Sequence, residues 1–168
     1  MSDALIAHAA MLIAYERWAN ERILAAAASV TDADLRADGG AGYSILSNMA
    51  HVLDAQEIWC ARIAGEPIDG TPPASIDDLR VAFAASHDRW DAIAAHLRPG
   101  DWARVIAYRN KAGVPNERAL GQIITHAINH GTLHRGETGM LLAKLGHSPG
   151  DLDLIYFVDE GSVAHGTR

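Results

Sequence analysis

Apolar residues recur at helical spacing through four long stretches of the chain. Leu5, Leu12, Tyr15, Ala19 and Ile23 predict a helix over 3–29, extended by the alanine run 25–28. Ser44 offers a hydroxyl N-cap to a second helix over 45–64, and Gly65 with Pro67 closes it. Ser75, with Asp78 three residues on, caps a third over 76–97. Ile76, Leu79, Phe83, Trp90, Ile93 and Leu97 form its apolar stripe, and Pro99-Gly100 ends it. A fourth helix runs from about 117 to 145 and stops at Gly146, with Pro149 beyond. Between the third and fourth the pattern changes. Residues 102–108 are β-prone and 110–113 turn-like, so 101–116 reads as a short hairpin or an extended crossover. Residues 31–34 and 39–42 read as linker and 66–74 as loop. Segment 151–158 reads as an amphipathic or strand-like tail that packs back on the helices, with the chain frayed from 161. Four helices of about twenty or more residues and one β-prone crossover predict an all-α four-helix bundle, in one domain spanning 1–168.

Polar residues that fall on apolar faces change this picture most. The fourth helix carries His126, His130 and His134 at four-residue steps. An α-helix turns about 100° per residue, so relative to His130, His126 lies near −40°, His134 near +40° and Glu137 near −20°. Ile123 and Leu141 share that direction, both near +20°. The imidazoles therefore face a core. A buried polar group left without a partner costs roughly 2–7 kcal/mol, and one metal ion satisfies several imidazoles at once. On the second helix Ser44, Ser47, Asn48 and His51 share a face that becomes Ala55 and Ile58 one turn later. A polar pocket is expected near the start of that helix.

Composition narrows the classes. The 168 residues are 49% hydrophobic and 21% charged, with a formal charge of −7 and one cysteine, Cys60. The acidic balance argues against nucleic acid or an anionic membrane as partner. A single cysteine excludes an intrachain disulfide. No apolar run reaches a membrane span and the N-terminus is acidic, so the expectation is a cytoplasmic protein.

Axial distance limits the metal ligands. His126 and His134 are about 12 Å apart along the helix, too far for easy sharing of one ion about 2.1 Å from each nitrogen. An adjacent pair, about 6 Å apart, is easier, and spacing alone leaves His126/His130 and His130/His134 both open. The third ligand must come from another helix, and His51 on the polar inward face is the best candidate. Three histidines leave positions free for water or substrate and suit Zn, Ni, Fe or Co. Other metal and catalytic patterns fail: His130 is followed by Gly131, so there is no His-Glu-x-x-His, and neither a paired Glu-x-x-His nor a phosphate loop is present. Arg135 lies about 140° from His130 and points away from the site. Cys60 reads as a small buried residue. Gly131, Gly136 and Gly139 suggest close approach by a neighbouring segment.

The string Asn129-His130-Gly-Thr-Leu-His134-Arg135-Gly136-Glu137 resembles the signature of the DinB family of metal-binding four-helix bundles. Tyr15-Glu-Arg-Trp18-Ala-Asn20-Glu-Arg and Leu46-Ser-Asn-Met-Ala-His51, through Trp59, agree with it, as do Gly146-His-Ser-Pro149 and the Asp151/Asp153 turn. The resemblance covers nearly the whole chain and implies a divalent-metal site at His51, His130 and His134, which settles the choice on the fourth helix. It also implies relatives that are thiol-dependent transferases or isomerases, and a homodimer. Glu137 stands where the family usually has Gln. His126 then becomes a core histidine or one that supports the ligands. Glu137 divides between supporting a ligand and a surface salt bridge, and Asp54 is expected to be a surface or supporting carboxylate; these two are the weak candidates for catalysis.

The expected function is a metal-dependent enzyme using the three-histidine site for hydrolysis or thiol S-transfer on a small molecule. The alternatives are a non-catalytic metal-binding or sensory bundle, and a helical dimerisation module with core histidines. An open coordination sphere separates the first from the others.

Overall fold

The computed structural model describes residues 3–40, 42–68 and 71–165, the last four as backbone alone. It is 69% helical. The four long helices are α1 (Asp3–Ala27), α3 (Ile45–Ala64), α4 (Ile76–His96) and α5 (Leu120–Lys144). Between the first two lies the short α2 (Asp32–Arg36), and α6 (Leu154–His165) follows α5. The long helices pack as a bundle: α1 lies against α4 and α5, and α3 lies against the same two. Among the described residues, no helix is long and apolar enough to cross a membrane.

Helix ends follow their capping residues. Ser44 accepts a hydrogen bond from Ser47 N at 3.1 Å, and Ser47 Oγ accepts from Ser44 N at 2.9 Å, a reciprocal N-terminal box. Gly65 closes α3 in the left-handed conformation (φ 70°). Ser75 accepts from Asp78 N at 3.1 Å to open α4. Past α5, His147 N reaches Leu142 O at 2.9 Å around Gly146 (φ 83°), the Schellman closure.

Three expectations need correction. Residues 31–34 do not form plain linker: Thr31 Oγ1 accepts from Asp34 N at 3.2 Å and starts α2. The fourth long helix begins at 120, not 117. Segment 115–119 is instead β2 (Pro115–Ala119), antiparallel to β1 (Val105–Arg109), in the register Val105↔Ala119 to Arg109↔Pro115. Of the two readings of 101–116, a short hairpin or an extended crossover, the hairpin holds and reaches 119. Asn110 Oδ1 pins its turn by accepting from Ala112 N and Val114 N, both at 3.0 Å. Gly121 allows the Trp102 ring to pack over the start of α5, where a Cβ would lie 2.3 Å from that ring. Of the two readings of the tail, amphipathic or strand-like, the strand-like one fails: the tail is a helix whose backbone is described through 165, and residues 166–168 lie outside the described residues. The tail does pack back. Phe157 joins Tyr15 and Trp18, with ring centroids 6.0 and 5.8 Å away, and Tyr15 donates its hydroxyl to Leu152 O at 2.8 Å.

Two apolar clusters fill the bundle. One gathers Ile23, Met49, Leu53, Leu79, Phe83 and Leu142. The other gathers Ile13, Cys60, Trp90, Leu120, Ile124 and Ile128. Each long helix passes from one cluster to the other through polar residues: Glu16 and Asn20 on α1, Gln56 on α3, Ser86 and His87 on α4, Arg135 on α5. All six are buried. The bundle thus has a polar layer across its middle.

A candidate metal centre

α3 and α5 bring three histidines together beside this layer. One ring nitrogen from each of His51, His130 and His134 lies within 4.8 Å of the others. His51 Nε2 and His130 Nε2 are 3.2 Å apart. The ring centroids are 4.9 Å (His51–His130), 4.8 Å (His51–His134) and 4.5 Å (His130–His134) apart. Two nitrogens each about 2.1 Å from a shared ion sit about 3.0–3.4 Å apart at octahedral or tetrahedral angles, so the spacing of the first pair suits a transition metal. Among the described residues, no other His, Cys, Asp or Glu joins the group. His51 and His130 are half-buried and His134 is buried, so the cluster is partly open to solvent.

Protonation favours lone pairs at this point. Burial first, then the nearby His134 and His51, pushes the His130 imidazole down to about 4. His51 is lowered by burial and by His134. Both rings are neutral near pH 7. His134 Nδ1 lies 2.8 Å from Glu137 Oε2. A carboxylate accepts only, so His134 donates from Nδ1, and the neutral tautomer this selects is the one with its lone pair on Nε2. Asn48 holds this arrangement from α3. Its buried amide nitrogen lies 2.9 Å from His134 O, 3.0 Å from Thr138 Oγ1 and 3.3 Å from Glu137 Oε2. The polar start of α3, visible as Ser44, Ser47, Asn48 and His51, resolves into two cap serines, one bracing amide and one imidazole of the cluster.

Other positions sort clearly. Glu137 bonds to His134, and among the described residues no Lys or Arg lies within ion-pair distance of it. Asp54 is turned outward to Lys111, 3.2 Å away. His126 is not a core residue, as expected from its helix face, but exposed. The hairpin leaves that end of the α3–α5 seam open, and the His126 ring sits between those of Trp59 (5.5 Å) and His130 (5.8 Å). Cys60 is buried, and burial pushes its thiol up to about 12, which keeps it inert. Gly136 has no neighbour within 4 Å of a built Cβ, so no close approach explains it. Gly131 does have one: a Cβ there would lie 2.0 Å from Glu16 Oε1.

Two features escaped the sequence. Tyr43, just before the cap of α3, lays its ring beside His51 (6.2 Å) and His134 (6.1 Å) and forms a wall of the cluster; a loop aromatic has no periodicity to expose it. Arg135 points away from the histidines, as its angle requires, but into the core. It is 1% exposed and its Nη1 donates to Glu16 Oε1 at 2.5 Å and to Asn20 Oδ1 at 3.0 Å. Gln56 donates to the same Glu16 oxygen at 2.9 Å. The signal was present on α1, where Glu16 and Asn20 sit at helical spacing between Ile13 and Ile23.

Comparison with known proteins agrees with the helical fold. The DinB family model matches residues 1–161. The chain belongs to the DinB family. A search of curated proteins finds no match. Membership in the DinB family and a three-histidine cluster are compatible with metal binding.

Proposed function

We propose that His51, His130 and His134 hold one divalent transition metal, and that the protein is a metal-dependent enzyme acting on a small molecule with a thiol co-substrate. The observation that carries this reading is the convergence of one ring nitrogen from each of three imidazoles, one of the rings oriented by Glu137, with no fourth protein ligand among the described residues. The donor set suits Zn, Ni, Fe or Co. When bound, such an ion supplies Lewis acidity, which makes a water or thiol beside it nucleophilic near neutral pH. The residues around the cluster favour thiol transfer over hydrolysis. With an ion bound, a water's pKa falls to about 7 while a thiol is ionised outright, so only the water still has a proton to lose near pH 7. Among the described residues, both carboxylates near the cluster are engaged: Glu137 is bonded to His134, and Asp54 is paired with Lys111.

The test is metal analysis of protein purified without an affinity tag, followed by a screen of small thiols with electrophilic co-substrates. The expected result is one ion per chain. His130→Ala and His134→Ala should each abolish it, and His51→Ala should nearly do so. Full binding by any of these variants overturns the triad. A loaded protein inert to every thiol but active in water-dependent ester or amide cleavage overturns the transfer reading and leaves the metal site standing.

A further inference from the structure

Next to the histidine cluster, the hairpin, α3 and α5 border an open cleft of about 380 Å³. That is a usual size for a small-molecule site. Its walls are Trp59 on α3, Tyr108 and Arg118 on the hairpin, and Gln122, Ile123 and His126 on α5. His126 joins it to the cluster, since its ring lies 5.8 Å from that of His130. Trp59 stands edge-on between two rings: Tyr108 at 5.2 Å and His126 at 5.5 Å, both at 77°. The result is an aromatic cleft.

The charge around this cleft is opposite to that of the chain. The protein carries a formal −7. Here the Arg62 guanidinium lies over both the Trp59 ring (4.5 Å) and the Tyr108 ring (4.4 Å). Arg118 stands exposed at the rim. It donates to the backbone carbonyl of Glu117, and among the described residues no carboxylate lies within ion-pair distance of it. Glu117 precedes it on the strand, so its side chain leaves from the opposite face of the hairpin. The acids of α3 are turned elsewhere: Asp54 pairs with Lys111, and Glu57 with Arg89 on α4. Flat aromatic walls select a planar body, and an unpaired guanidinium at the rim selects a carboxylate.

We infer that this cavity binds a small planar organic acid, its ring against Trp59 and Tyr108 and its carboxylate on Arg118. Its role as the substrate pocket rests on the metal reading above; the binding itself does not. The probe is 2-naphthoate, with 2-naphthamide as its neutral counterpart, titrated by calorimetry into the full chain with and without zinc. Naphthoate should bind about tenfold more tightly than the amide, the worth of a charge-assisted bond. Arg118→Gln, an exposed substitution, should remove that preference and leave the amide unchanged. Trp59→Leu should weaken both ligands. His134→Ala should keep naphthoate binding, even while it takes up no zinc. Equal binding of acid and amide overturns the inference, as does naphthoate binding that Arg118→Gln leaves intact. Binding that vanishes without zinc also overturns it, because the carboxylate then sits on the metal. A protein that binds naphthoate but no zinc supports the pocket and sinks the metal reading alone.

Discussion

One helix separates two polar clusters of opposite character. On one side of α5, Arg135 lies against Glu16, Asn20 and Thr132, with Gln56, Ser86 and His87 completing a sealed layer. On the other side His130 and His134 meet His51, half-open to solvent, with ring nitrogens directed at one another. The first cluster joins cation to anion and donor to acceptor across three other helices. Such a layer fixes how each helix is rotated, because a turned helix would bury its charge unpaired. The second gathers three like groups with no counter-charge between them beyond the carboxylate of Glu137. Packing gains nothing from that arrangement; a cation does. The sealed layer also sets the open one, since Arg135 follows His134 directly, and locking Arg135 towards α1 turns His134 towards α3.

The largest effect should come from breaking the sealed side. Arg135→Ala leaves the Glu16 carboxylate buried without its cation, and such losses typically cost about 3–5 kcal/mol. Urea unfolding should show that loss. The double variant Glu16→Gln, Arg135→Met removes both charges and should recover most of it while still taking up one zinc. A double variant as unstable as the single one would mean that the layer contributes shape, not charge pairing.

The two clusters were unequally legible in the sequence. The histidines announce themselves by four-residue spacing on a face shared with Ile123 and Leu141, because imidazole is rare enough in a core for its pattern to stand out. The partner His51 followed from the polar start of its helix. The caps at Ser44 and Ser75 and the stop at Gly65 were equally plain, since each acts through its nearest neighbours. Arg135–Glu16 was not legible in the same way. Its two halves lie on different helices, 119 residues apart, and each alone resembles a solvated charge. His126 failed for a related reason: helical angle says which way a side chain points, not whether the hairpin covers it. The start of α5 was misplaced because residues 117–119 suit either a helix or a strand, and pairing with β1 decides.

The next effect tests how dry the sealed side is. Asn20 Oδ1 accepts from Arg135, so its amide nitrogen donates to His87 Nε2, 3.2 Å away. Protonating His87 there would set donor against donor. Burial is the main cause that pushes His87 down to about 4 from 6.5, helped by Arg17 and opposed by Asp91 and Asp88. Between those values the unfolded chain holds a proton that the native protein lacks. Stability is therefore full above about pH 6.5 and falls as pH drops towards 4, by about 3 kcal/mol in all. His51 and His130 share this direction, whereas Glu16, whose carboxyl burial raises, opposes it. Melting His87→Gln beside the parent from pH 7 to pH 4.5 isolates the one residue. The variant should lose less stability on acidification, and parallel curves would show that His87 is hydrated.

On the open side the intermediate effect belongs to Glu137. A carboxylate behind a ligating imidazole fixes its tautomer and raises its basicity, and losing it costs about 10–100-fold in metal affinity. Glu137→Gln keeps the shape and an acceptor oxygen but removes the charge, so zinc affinity by competition with a chelator dye should fall towards the lower end of that range. Glu137→Ala should fall towards the upper end. Equal affinities in all three proteins would mean that the Glu137 bond does not set the His134 ring for the metal.

The smallest effect should be at Asp54, and its smallness is informative. This carboxylate is one turn from His51 on α3, close enough in sequence to suggest a ligand or a base. The structure turns it outward to Lys111, with the two side chains 52% and 76% exposed. Exposed pairs contribute about 0.2–1 kcal/mol. Asp54→Asn should therefore shift urea unfolding by no more than that and change zinc affinity by less than about twofold, the long-range worth of one screened charge. Because Lys111 sits on the turn between β1 and β2, the variant also frees the hairpin tip without touching the histidines. A tenfold loss of zinc would place Asp54 within reach of the ion. The open side would then hold a fourth ligand and a counter-charge of its own, and the contrast across α5 would be one of accessibility alone.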